Sequence, residues 1–131
     1  MSQENVETVR RLLDAGERDD IPAALACLDP DLEWVALRSA TEGAYHGHRG
    51  YERFVADTRE SFEIFEPRFE LRDLSDRVLA WGTIRVRGSG SGVEIDVPVG
   101  GIFDFRDERI TRWRDYGSKG NALEAARLSD S

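Results

Sequence analysis

Few residues in this 131-residue chain could move a proton or hold a reacting group. The first is the aspartate of Trp113-Arg114-Asp115-Tyr116. It ends a run with strand-like alternation, so it shares a side with Trp113. A carboxyl on an otherwise apolar face is costly to ionise. Unless it is paired, its pKa climbs toward the range where it both gives and takes protons near neutrality. Asp115 therefore reads either as a general acid/base or as a structural carboxylate, bound to a neighbouring arginine or to the start of a following helix. His46 and His48 share one loop with Tyr45. His46 could shuttle a proton, since imidazole titrates near neutrality, or could hydrogen-bond at a helix start. Two histidines one residue apart, with no third ligand at a fixed spacing, are a poor zinc signal; no metal and no cofactor are predicted. Cys27, the single cysteine, lies in a short apolar helix and is assigned to packing.

These residues need elements to position them. Val6, Val9, Leu12 and Leu13 recur at helical spacing, with Gly16 at the end. Asp19 or Asp20 can cap a second helix, with Pro22 in its first turn and Asp29-Pro30 stopping it. Leu32 to Leu37 reads as a short strand, followed by a loop through Tyr45-His46-Gly47. From Arg49 a third helix aligns Tyr51, Phe54, Val55, Thr58, Phe62 and Phe65, and Pro67 is expected to end it. Beyond Pro67 the period changes to two. Strands are expected at Arg68 to Asp73, Arg77 to Arg87, Val93 to Arg106 and Arg109 to Tyr116. Gly88 to Gly92 and Asp107-Glu108-Arg109 form the hairpin loops, and Asn121 to Leu128 a closing helix. That order predicts one α+β domain over residues 1–131, with helices on one face of a curved antiparallel sheet.

Charge predicts the strand register, because opposite charges directly across a pair are mildly stabilising. Opposing Arg87 to Glu94 brings Arg85 to Asp96 and Ile84 to Val97. Opposing Phe103 to Trp113 brings Asp104 to Arg112 and Gly101 to Asp115. The charges then share one face. The other carries Ala80, Gly82, Ile84, Val86, Val97, Val99, Gly101, Phe103, Thr111, Trp113 and Asp115. Gly82 and Gly101 are expected to leave room for something to approach the backbone. Trp81, alone among charges, suggests a partner surface.

Composition narrows the function classes. Apolar residues are 40% of the chain and charged residues 34%, enough for a packed core and a solvated surface. A net charge of −8 with no basic–aromatic cluster speaks against nucleic acid and anionic membranes as partners. No stretch approaches the roughly 20 apolar residues of a membrane span. The acidic, polar start is unlike a signal peptide, and one cysteine suits a reducing cytoplasm, which is the expected location.

Three segments carry a resemblance. Val9-Arg10-Arg11-Leu12-Leu13-Asp14-Ala15-Gly16 with Asp29-Pro30-Asp31-Leu32-Glu33-Trp34 resembles the opening of nuclear transport factor 2-like domains. His46-Gly47-His48-Arg49-Gly50, with Phe54 after it, resembles the turn into their third helix. Arg109 to Tyr116, followed by Ala122-Leu123-Glu124-Ala125-Ala126, resembles their last strand and closing helix. The similarity is to SnoaL-like members in particular. It implies a cone-shaped half-barrel, a strongly curved, mostly antiparallel sheet around three N-terminal helices, with a short C-terminal helix. It further implies a pocket inside the cone and a homodimer through the outer sheet face. Ketosteroid isomerase positions fall here at Ala36, Gly101 and Val9, so that chemistry is not carried over. Of five limonene-type epoxide hydrolase positions only Asp115 is retained; the others fall at Gly82, Ile84, Trp34 and Ala36. The looser requirement of SnoaL-type cyclases, one polar acid/base group in an apolar pocket, is met. The expectation is a small apolar or cyclic organic ligand walled by Trp34, Phe54, Phe103 and Trp113. Asp115 would move the proton, and Tyr45 or His46 would supply a polar contact at the mouth. A non-catalytic ligand-binding or dimerisation module of the same fold is the alternative.

Overall fold

The computed structural model describes residues 2–37, 39 and 43–130. Helix α1 (Ser2–Glu17) buries Thr8, Val9, Leu12 and Ala15; of the predicted stripe Val9 and Leu12 are buried, while Val6 and Leu13 are half-buried against the same core and Gly16 is exposed. Helix α2 (Ile21–Ala26) is capped by Asp20, whose carboxylate accepts from the Ala23 N–H at 3.2 Å; Pro22 occupies its first turn. Strand β1 (Leu28–Val35) follows, then β2 (Tyr45–His46) and helix α3 (Gly47–Ser61). Strands β3 (Phe62–Asp73), β4 (Arg77–Gly88), β5 (Glu94–Arg106) and β6 (Arg109–Tyr116) form the meander, and helix α4 (Lys119–Asp130) closes it.

The six strands form one curved, unclosed sheet in the order β2-β1-β6-β5-β4-β3. Every pairing is antiparallel except β1 with β6. The expected registers are found. Arg87 opposes Glu94, Arg85 opposes Asp96 and Ile84 opposes Val97. Phe103 opposes Trp113 and Gly101 opposes Asp115. One face packs on α1, α2 and α3 around Val9, Leu12, Leu28, Trp34, Tyr45, Val78, Phe103 and Ile110. The other is covered in part by α4, through Leu79, Ile102, Ala122 and Ala126. The hairpin between β5 and β6 places Asp107 and Glu108 both at positive φ, 52° and 67°, the signature of a primed two-residue turn.

Five local expectations are corrected. Helix α3 stops at Ser61, and Phe62 and Phe65 belong to β3 rather than to the helical stripe. Eleven cross-strand partners on β4 outweigh a few more turns of helix. Pro67 is accepted inside β3 because that strand is at the sheet edge, where a missing donor is tolerated. Strand β1 starts at Leu28, with Pro30 inside it, and the ladder to β6 breaks between Leu28 and Glu33. Tyr45 and His46, expected in a loop, pair with Trp34 and Glu33. Thr111 yields its inward place to Ile110, which is fully buried. Ile110 and Trp113 are three apart, so both can face the core only through the irregularity found between β5 and β6. Finally, the room at Gly82 is taken by the chain itself, since a Cβ there would collide with the Arg68 carbonyl oxygen of β3.

Candidate functional site

Asp115 stands near the end of β6, facing the helices. Its Oδ1 accepts from Trp113 Nε1 at 2.9 Å and its Oδ2 from Trp34 Nε1 at 3.1 Å. The two indoles reach one carboxylate because β1 and β6 run parallel with Trp34 beside Trp113. Their rings stack at 3.7 Å and 7°, a near-parallel pair with both N–H edges aimed the same way. Across β5 the neighbour of Asp115 is Gly101, where a Cβ would lie 3.2 Å from Oδ1. The space predicted at Gly101 is thus occupied by the carboxylate.

The electrostatics follow from this enclosure. Burial raises the Asp115 pKa to about 7, against the lowering influence of the two indole N–H donors. Desolvation wins because the donors are neutral, and no cationic side chain among the described residues adds to them. Near neutrality both protonation states are populated. The neutral acid can donate a proton, and the carboxylate can accept one.

Aromatic side chains wall the group. Phe54 of α3 lies 4.0 Å from Trp34 on the ring face away from Trp113. Phe103 approaches Trp113 at 5.0 Å, and Tyr45 approaches Trp34 at 5.8 Å. Trp34, Tyr45, Phe103 and Trp113 are buried, and Phe54 is half-buried. Asp115 keeps some accessible surface even though its carboxylate is deep enough for desolvation to dominate. It sits at the border of the sealed core. Toward the β4–β5 hairpin the same face continues through half-buried Ile84 and Val97 to Ile95, which is 55% exposed.

Asp115, Trp34, Trp113, Phe54, Phe103 and Tyr45 are therefore brought together. His46 is placed elsewhere. It opposes Glu33, next to the Glu33–Arg112 ion pair, and is exposed on the face opposite Trp34 and Tyr45. At the N-cap of α3 its side chain makes no capping bond. His48 instead bonds the Leu28 carbonyl through Nε2 at 2.9 Å, which joins α3 to β1. Two neighbours of the site were not singled out in the sequence. Tyr51 stacks toward Trp34 at 6.1 Å and 24°, and Phe65 meets Phe54 edge-on at 6.1 Å. Tyr51 lies on the predicted α3 stripe, whereas Phe65 becomes visible only once α3 is ended at Ser61.

Two surface clefts lie away from this cluster. One, about 390 Å³, is lined by Asn5, Ser75, Asp76 and the β5–β6 turn. The other, about 290 Å³, is lined by Thr8, Arg11, Arg18, Ala23, Cys27 and Glu108. Among the described residues no group of three histidine, cysteine, aspartate or glutamate side chains is arranged to hold a metal ion. No helix there is long and apolar enough to cross a membrane. On the outer face Trp81 is half-buried, packed toward α4 with Lys119 Nζ 4.0 Å from its ring centre.

Comparison with known proteins places these observations. The family model of the SnoaL-like domain matches residues 9–113. No curated protein matches the chain. An NTF2-like protein from Burkholderia xenovorans is 25% identical, with a TM-score of 0.76, over 96% of this chain and 97% of that one. A putative SnoaL-like polyketide cyclase from a Jannaschia species is 22% identical, with a TM-score of 0.76, over 95% and 92%. An LEH-like epoxide hydrolase from M. tuberculosis is 22% identical, with a TM-score of 0.71, over 99% and 98%.

Proposed function

Because the chain belongs to the SnoaL-like family, we propose that it binds a small, largely apolar organic molecule on the concave side of its sheet and acts on it by cofactor-free acid/base chemistry. The observation that carries this reading is the Asp115 carboxyl, enclosed by stacked indoles and titrating at about 7. Such a group serves an isomerisation, an aldol-type cyclisation or a hydration, each of which needs one proton moved at a carbon or oxygen. Trp34 and Trp113 orient the carboxyl. Phe54 and the apolar run through Ile84 and Val97 would hold the substrate and keep water from it. A positioned acid/base of this kind contributes roughly 10²–10⁴-fold in rate. We place the protein in the cytoplasm as a homodimer joined through the outer sheet face.

A second reading has its own support. Both Asp115 oxygens are engaged by indoles, and the two clefts described above do not include it. In that reading the trio is an internal brace, and the protein is a non-catalytic ligand-binding or dimerisation module. Native mass spectrometry of freshly purified protein tests ligand binding first, and turnover then separates the readings. A dimer carrying one small organic molecule per chain supports the proposal. If ligand is found, Asp115→Asn should fold and lose turnover. Unchanged turnover in that variant would leave the binding module.

A further inference from the structure

Charge is sorted sharply between the two faces of the sheet. Arg85 pairs with Asp96 at 3.1 Å, Arg87 with Glu94 at 3.3 Å, and Arg112 with Glu33 at 3.3 Å. Arg114, the immediate neighbour of Asp115, turns the other way and reaches Asp104 at 3.3 Å. All four arginines alternate out of the concave face, as the register requires. On that face Asp115 lies across from Gly101 and beside the Trp34–Trp113 pair, with Phe54 against Trp34, and among the described residues its hydrogen-bond partners are the two neutral indole N–H groups. The helices packed against the face do not change this. From α3, exposed Arg53 lies 4.6 Å over the Tyr45 ring, with Asp57 at 3.5 Å from the Tyr45 hydroxyl, and Arg59 is bound to Asp19 at 2.8 Å. From α1, Arg11 donates to Thr8 at 3.0 Å and Arg10 pairs with Glu7 at 3.5 Å.

Resting on the ligand-binding reading above, we infer that the niche at Asp115 selects organic cations: an apolar body ending in a protonated amine, preferred over the same body ending in a carboxylate. The reason is an unmet counter-charge. An ionised carboxylate in an apolar surround is uncompensated, and an arriving ammonium supplies the missing partner. It also brings N–H donors that the carboxylate can accept, and the indoles, being donors only, do not compete for them. A ligand carboxylate would put a second negative charge in the same low-dielectric space, where repulsion is stronger than in water. The protons balance simply. Where Asp115 is neutral when the ammonium arrives, its proton leaves to solvent, and binding becomes coupled to pH.

Three probes with one body test this: cyclohexylmethylamine, cyclohexylmethanol and cyclohexanecarboxylate, titrated into the intact protein and followed by tryptophan fluorescence. At pH 8 the amine should bind at least ~10-fold tighter than the carboxylate, with the alcohol between them, and the amine's advantage should shrink by pH 5.5 as Asp115 takes up its proton. Asp115→Asn should keep the alcohol and lose the order. Should that variant not fold, the pH series on the natural sequence makes the same test. Binding with no charge order, or an order independent of pH, overturns the inference alone. No binding by any probe overturns the ligand-binding reading, and the inference with it.

Discussion

Asp115→Asn should change the sign of its effect on stability with pH. The folded-state pKa of about 7 lies above the ordinary aspartate value of 3.8. The native state therefore holds a proton that the unfolded chain releases between these two values. Stability from this group is complete below pH 4, falls as pH rises, and is lost above about pH 7. Three units at 1.36 kcal/mol each make the total about 4 kcal/mol. Asparagine removes that loss, because it does not ionise. It adds a different one: its oxygen accepts from one indole, while its NH₂ faces the other indole N–H, donor against donor. An unsatisfied buried donor costs about 1–3 kcal/mol. The variant should thus be less stable than the natural protein by about 1–3 kcal/mol at pH 3.5 and more stable by a similar amount at pH 8, with the curves crossing between about pH 4.5 and 6. Urea unfolding followed by tryptophan fluorescence across that range reads the difference directly, and groups common to both proteins cancel. A stability difference constant from pH 5 to 8 would refute the reasoning, since it would mean that Asp115 ionises as easily when folded as when unfolded.

Two more expectations follow from the same contacts. Trp113→Phe keeps an aromatic ring against Trp34 but removes the 2.9 Å N–H donor, so the Asp115 pKa should rise further; carboxyl carbon NMR titration would show it, and a fall would contradict the assigned bond. Glu108→Gly relieves a side chain held at φ 67°, and should raise the unfolding free energy by about 1 kcal/mol in urea melts, with no change at Asp115.

The registers of β4 with β5 and of β5 with β6 were legible because they rest on local rules. Period-two alternation separates faces, and opposite charges such as Arg85 and Asp96 choose which residues oppose. Both act between neighbouring strands and need no knowledge of the rest of the chain. The same rules put Asp115 opposite Gly101. Boundaries decided by competition were not legible. Phe62 and Phe65 fit the helical stripe of α3 as well as they fit a strand, and only the long ladder to β4 settles the choice. Pro67 looks like a helix stop until β3 is known to be an edge. His46 and Tyr45 are adjacent and were grouped, yet a two-residue strand sends them to opposite faces.

Sequence alone determined the faces of β4 and β5 and their charge, the order of the elements other than β2, and the isolation of one aspartate on the apolar side. Tertiary structure alone decided what that aspartate meets. Trp34 is 81 positions from Asp115 and reaches it only because β1 lies parallel to β6, a pairing with no local signal. Alternation says which way a side chain points; the stacked indoles and the depth that raises the Asp115 pKa arise from long-range packing.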